Sequence, residues 1–264
     1  MTAVTVPEEL AAQADALWAA EATRCAIEPL TAAQPGLTVA ESYAIQELNV
    51  ERKLGEGRVL RGRKIGLTSR AMQTLLGVDE PDFGALLDDM FVEDGDAIPA
   101  GTLIQPKAEA EIVFVLGSDL AGPGVTTADA LRAIEAAAAS IEIVDSRIAD
   151  WRITLADTIA DNASSGRVVL GSRLVPVGRL DLRLIGMAIW HNGELADTGA
   201  GAAALGNPAR CVAWLANTLG SLGGGLRAGD VVMSGALHRA FDVTSGDEVR
   251  AELADLGSVS VRFA

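Results

Sequence analysis

Two glutamates one residue apart stand inside an otherwise apolar stretch, Ala108-Glu109-Ala110-Glu111-Ile112-Val113-Phe114-Val115-Leu116. Read as a strand, the stretch puts Glu109, Glu111, Val113 and Val115 on one face, with Ala108, Ala110, Ile112, Phe114 and Leu116 on the other. Both faces are apolar apart from the two acids, so the strand is expected to be buried. Neighbouring buried carboxylates repel each other and lose hydration. A divalent cation, an arginine or a shared proton would compensate. A hard cation such as Mg²⁺ is the simplest, because it takes oxygen ligands and keeps waters that a substrate can displace. The plainer alternative is a strand end with both acids in solvent.

Glu142 has similar surroundings. In Ser140-Ile141-Glu142-Ile143-Val144-Asp145, alternation sets Glu142 and Val144 against Ile141 and Ile143. A half-exposed strand is the simpler local explanation. With Glu109 and Glu111, however, it would make three carboxylates for one octahedral ion with positions left for a chelating substrate. Lys64 shares a strand face with Leu60, Gly62 and Gly66, away from Arg61 and Arg63. It is either a cation aimed into a cavity or an ordinary solvated lysine. Pro81-Asp82-Phe83-Gly84 reads as turn chemistry around an aspartate. Asp161-Asn162-Ala163-Ser164-Ser165-Gly166 is a polar loop before a strand, serving either as a turn or as a source of hydroxyl and amide donors to a ligand.

Other chemistries lack their residues. Neither His191 nor His238 has a serine or cysteine partner in a motif, and no nucleophile elbow, Walker loop or dinucleotide fingerprint occurs. Cys25 and Cys211 form no metal-binding or disulfide framework. The net charge of −15, from 36 acidic and 21 basic residues in 264, opposes a nucleic-acid grip and a polybasic membrane surface. No apolar run is long enough to span a bilayer, and the first seven residues do not read as a signal peptide. The expectation is a cytoplasmic globular protein.

The elements that must position these groups are predicted as follows. Residues 1–57 read as a helical N-terminal segment and 58–264 as a β-rich domain. Pro7 suits a first helical position, with Leu10, Ala14, Leu17 and Trp18 on one face. Thr38 and Glu41 have capping-box spacing ahead of a second helix carrying Val39, Tyr43, Leu48 and Leu54. Residues 59–68 look extended, and a short helix is expected over 69–76. Residues 98–120 and 141–145 look strand-like, and an alanine-rich helix is expected over 128–139. Short strands follow at 167–170, 185–190, 194–198, 230–233 and 259–263, with Asn192-Gly193 as a hairpin turn. Asn207 and Pro208 open one further helix whose inner face carries Val212, Leu215 and Leu219. Strands do not alternate regularly with helices, so a doubly wound sheet is not expected and the class is α+β.

Several segments carry a family resemblance: Gly62-Arg63-Lys64-Ile65-Gly66-Leu67-Thr68-Ser69, Gly77-Val78-Asp79-Glu80-Pro81-Asp82-Phe83-Gly84, Gln105-Pro106-Lys107-Ala108-Glu109-Ala110-Glu111, Glu142-Ile143-Val144-Asp145-Ser146-Arg147, Ala160-Asp161-Asn162-Ala163-Ser164 and Leu256-Gly257-Ser258-Val259-Ser260-Val261-Arg262-Phe263. In order, and over nearly the whole chain, they resemble the 2-oxopent-4-enoate (2-hydroxypenta-2,4-dienoate) hydratases of aromatic meta-cleavage pathways. That family lies in the fumarylacetoacetate-hydrolase-like superfamily, with the 2-oxo-hept-4-ene-1,7-dioate hydratases and 4-oxalocrotonate decarboxylases. The resemblance implies a mixed, β-rich core and a lyase that uses Mg²⁺ or Mn²⁺ to add water to a small anionic 2-hydroxydienoate, giving a 4-hydroxy-2-oxo acid. It implies metal ligation by Glu109, Glu111 and Glu142, catalytic roles for Lys64, Asp82 and Ser164, and a homo-oligomer. Two alternatives stay open, a 4-oxalocrotonate decarboxylase and a non-catalytic ligand-binding protein on the same fold. Asp82 stands where the decarboxylase branch often has an apolar residue, whereas residues 199–206 look more like the decarboxylase and diacid branches. Asn207 departs from the histidine common before Pro208.

Overall fold

The computed structural model describes residues 7–70, 73, 74 and 77–264. Helix α1 (Glu8–Thr23) begins after Pro7 and buries Leu10, Ala14, Leu17 and Ala20. A single turn, α2 (Leu30–Ala33), leads to α3 (Val39–Gly55), which opens on the expected Thr38/Glu41 capping box. The buried stripe of α3 is Ser42, Ile45, Gln46 and Val50 rather than the Val39–Leu54 line, and both Val39 and Leu54 are exposed. Ile45 joins Leu10, Leu17, Leu30, Leu37, Ile148 and Ala160 in a small cluster that seats the N-terminal helices on the β domain.

The strands are β1 (Leu60–Gly66), β2 (Asp82–Leu87), β3 (Phe91–Glu93), β4 (Ala97–Ile98), β5 (Pro106–Leu116), β6 (Ile134–Asp145), β7 (Ser165–Leu170), β8 (Val175–Pro176), β9 (Gly186–His191), β10 (Glu194–Ala200), β11 (Val231–Met233), β12 (Phe241–Asp242), β13 (Glu248–Leu253) and β14 (Gly257–Phe263). Among the described residues they form two sheets. The larger runs β2-β1-β11-β5-β6-β7-β3, with β12 added to β5 and β8 to β6; the smaller runs β10-β9-β13-β14-β4. Most pairings are antiparallel, in keeping with the α+β expectation. Among the described residues further helices are α4 (Thr127–Ala133), α5 (Leu155–Ala160) and α6 (Pro208–Ser221), the last capped by Asn207.

Strands β5 and β6 are the long central pair. Ile112 and Phe114 face Ala139 and Ala137 across it, while Ala108 and Ala110 face Ile143 and Ile141. Large side chains thus meet small ones, which fills the layer without voids. These residues form one continuous core with the smaller sheet and the inner face of α6, including Val249, Val261, Val212 and Leu215. The opposite face of β5 is left for Glu109, Glu111 and Val113.

Three further expectations need correction. The alanine-rich helix over 128–139 stops at Ala133, and Ala136–139 are strand residues paired with Val115, Phe114, Val113 and Ile112. Alanine's helix propensity is overridden here because small side chains are what the partners on β5 admit. The stretch 98–120 is broken: β4 ends at Ile98, a 3₁₀ turn (Ala100–Thr102) follows, and β5 starts at Pro106. Asp82 is the first residue of β2, not the tip of a turn. The helix expected over 69–76 includes residues 71, 72, 75 and 76, which lie outside the described residues.

Candidate active site

Strand register builds the site. Glu109 lies opposite Glu142, and Glu111 opposite Ser140, in the antiparallel β5–β6 pair. Successive same-face positions on β5 therefore bring two acids beside the one on β6. One carboxylate oxygen from each of Glu109, Glu111 and Glu142 falls within 4.8 Å of the others. Glu111 and Glu142 are each 1% exposed, and Glu109 is half-buried at the edge of the cavity they line.

The compensation for three such charges is incomplete. Lys64 on β1 places its Nζ 3.3 Å from Glu142 Oε1, close enough for an ion pair. Beyond that ion pair, both Glu142 oxygens are buried without a hydrogen-bonding partner. Glu111 Oε2 accepts the Gly235 N–H at 2.8 Å. Burial, followed by repulsion from Glu142, pushes the Glu109 carboxyl up to about 7 and the Glu111 carboxyl well above its ordinary range. Burial also raises Glu142, against the pull of Lys64. For Lys64, burial favours losing the proton, but Glu142, Asp82, Glu109 and Glu111 together outweigh it, and the ammonium is held more firmly than usual.

These residues fit a hard divalent cation. Three carboxylates converge, both oxygens of Glu142 lack a hydrogen-bonding partner, and Lys64 is drawn into the group as a cation. An all-oxygen donor set of this kind suits Mg²⁺, Mn²⁺ or Ca²⁺ rather than a thiophilic metal.

Asp82 enters from β2. In the β1–β2 pairing it lies opposite Gly66, and a Cβ at residue 66 would fall 2.1 Å from Asp82 Oδ1 and 3.6 Å from Lys64 Nζ. Glycine there is what lets the aspartate and the lysine share one space. Asp82 is buried, its Oδ1 has no partner, and burial raises its carboxyl further than Lys64 and Thr158 lower it. Ser164, in the turn before β7, is also buried, and its hydroxyl has no partner.

Lys64, Asp82, Glu109, Glu111, Glu142 and Ser164 all line one cavity of about 400 Å³. Sequence reasoning did not single out Thr158 or Trp151 and set His238 aside as lacking a motif partner, yet all three line it too. The Trp151 indole N–H donates to the Gln105 carbonyl at 3.1 Å, and Lys107 lies over its ring while pairing with Asp242. His238 Nε2 accepts the Ala110 N–H at 2.8 Å and its Nδ1–H donates to the Arg239 carbonyl at 2.7 Å. Both ring nitrogens are thus engaged and burial keeps the ring neutral, so His238 fastens its loop to β5. No local pattern marks these three residues; only the folded chain brings them to the cavity.

The family model for the fumarylacetoacetate (FAA) hydrolase C-terminal region matches residues 62–264. A 2-keto-4-pentenoate hydratase of Paraburkholderia xenovorans (strain LB400) is 48% identical over 257 residues, 97% of this chain and 96% of that protein. A 2-hydroxypent-2,4-dienoate hydratase of Pseudomonas putida is 50% identical over 210 residues, 79% of this chain and 95% of its own length. Among solved structures, 4-oxalocrotonate decarboxylase from Pseudomonas putida G7, complexed with magnesium and adipate, matches with a TM-score of 0.95 and 38% identity over 97% of this chain and 98% of that one.

Proposed function

The chain belongs to the fumarylacetoacetate hydrolase family, and we propose that within it the protein is a hydro-lyase that adds water to a 2-hydroxy-2,4-dienoate to give a 4-hydroxy-2-oxo acid. The observation that carries this reading is the joining of three glutamates, Lys64 and Asp82 around one cavity, in a chain 48% identical over 97% of its length to a 2-keto-4-pentenoate hydratase.

Glu109, Glu111 and Glu142 would hold Mg²⁺ or Mn²⁺. When bound, the ion supplies a Lewis acid for the substrate's C1 carboxylate and C2 oxygen. Lys64 keeps its proton in this setting, so it offers a fixed positive charge and hydrogen-bond donor to the C2 oxygen as negative charge gathers there. The dienol first loses its hydroxyl proton and gains one at C5, giving the 2-oxo-3-enoate. Asp82 then takes a proton from water as the water oxygen bonds to C4, and a proton is delivered to C3. The sum is one water across the C3–C4 double bond. The raised affinity of Asp82 for a proton suits a group that must both take and return one. The Ser164 hydroxyl, lacking any protein partner, is free to bond substrate or water.

The test is spectrophotometric. Loss of the conjugated dienol should be fast with Mg²⁺ or Mn²⁺ and stop with EDTA. Turnover that ignores the chelator would reject the metal, and no turnover of any dienol would favour a non-catalytic binding protein. The similarity to a decarboxylase supports a second reading, CO₂ release from 2-oxo-3-hexenedioate, which the same panel measures. Assembly into a homo-oligomer is part of the proposal and is read by light scattering.

A further inference from the structure

Asn162, Ala163 and Ser164 occupy the left-handed region in succession, at φ +53, +50 and +53. None is glycine, and each such residue carries a backbone penalty that the surroundings must offset. Two side chains hold the turn. Asn162 bridges to one residue of β2: its Oδ1 accepts the Ala85 N–H at 2.7 Å and its Nδ2 donates to the Ala85 carbonyl at 3.0 Å. The buried Arg147 guanidinium spans the turn from behind, donating to the Asp161 carboxylate and carbonyl and, at 2.8 Å, to the Ser165 carbonyl. Gly84 permits the approach, since a Cβ there would lie 2.3 Å from the Asn162 carbonyl oxygen.

The turn presents the unpartnered Ser164 hydroxyl to the cavity that holds Asp82, and Asp82 and Ala85 lie on the same strand. We propose that Asn162, backed by Arg147, is a positioning residue: its two-point bridge to Ala85 fixes the distance between the Ser164 hydroxyl and Asp82 during turnover. This rests on the reading of Ser164 as a group that touches substrate.

A double-variant cycle separates the two ideas. Asn162→Gly removes the bridge while glycine accepts φ near +53 without penalty. It should lower kcat about tenfold or more with little change in KM, as expected when geometry rather than uniform binding is lost. Mn²⁺ affinity, read by calorimetry, should stay at the wild-type value because no glutamate is touched. The Asn162→Gly/Ser164→Ala double variant should be no slower than Ser164→Ala alone. If Ser164→Ala is as active as wild type, the reading of Ser164 fails and the proposal with it. If Ser164→Ala is slow but the two losses multiply, or Asn162→Gly keeps full kcat, the positioning role alone is overturned. Should Asn162→Gly not fold, Asn162→Asp, which tolerates the left-handed backbone but loses the donor to Ala85, enters the same cycle with the same outcomes.

Discussion

Glu109 and Glu142 face each other directly across the β5–β6 pair, and the Lys64 ammonium forms its ion pair with Glu142, 3.3 Å from Oε1. Two acids in register inside a sheet are a cost that the protein alone does not remove. A divalent cation held between these carboxylates would relieve that cost.

Glu111→Gln isolates that cost. The amide oxygen can still accept the Gly235 N–H, so the backbone around it is kept. Metal-free Glu111→Gln should melt at or above the wild-type temperature, while its Mn²⁺ affinity falls by at least about tenfold, as for other losses at metal sites. A variant that binds Mn²⁺ as tightly as wild type would show that Glu111 is not a ligand.

The pH dependence of stability follows from Glu109. Its folded value, about 7, lies above the ordinary 4.5, so the proton it holds stabilises the metal-free fold. That contribution is full below the ordinary value and is lost as pH rises through the folded one. Ionisation is what a cation needs, so the rise in melting temperature on adding Mg²⁺ should be larger at about pH 8 than at about pH 5. An equal rise at both would contradict the assignment.

Two glycines on β1 should behave differently. A Cβ at Gly62 would lie 1.8 Å from the Val231 carbonyl oxygen, a backbone atom of the paired strand, so Gly62→Ala should fail to give soluble folded protein. At Gly66 the clash is with the Asp82 carboxylate, a side chain that can turn aside. Gly66→Ala should fold, bind Mn²⁺ normally and lose about 10²-fold or more in kcat, the range for a displaced acid–base group. Circular dichroism, calorimetry and dienol turnover on the two variants check this; full activity in Gly66→Ala would remove Asp82 from the chemistry.

Gln46 ties the N-terminal helices to β2, the strand that carries Asp82. Its buried Nε2 donates to the Phe83 carbonyl at 3.0 Å, beside Asp82, and to the Ile159 carbonyl at 2.8 Å. Gln46→Leu removes both donors from a closed interior and should cost about 1–3 kcal/mol, visible as a lower melting temperature. An unchanged melt would mean the bridge contributes nothing.

The sequence carried the paired acids of β5 plainly, because two charges inside an apolar alternation are costly unless something answers them. Its α+β class and the Thr38 and Asn207 caps were also readable, since they depend on neighbours within a few residues. What was not readable depends on contacts distant in the chain. Ala136–139 form a strand only because Ile112 and Phe114 lie opposite. The inner face of α3 follows Gln46 because that amide finds two carbonyls far along the chain. Trp151, Thr158 and His238 reach the cavity through loops and a helix whose local patterns resemble ordinary turns and surfaces. The left-handed run at 162–164 has no glycine to announce it, and the hydrogen bonds that hold it come from Ala85 and Arg147.

Anomalous diffraction from crystals grown with Mn²⁺ and free of chelator tests the central claim most directly. The account predicts a single strong peak in the cavity, at coordination distance from one oxygen each of Glu109, Glu111 and Glu142. No peak there, or an ion held by other residues while these three carboxylates stay protonated and apart, would contradict it.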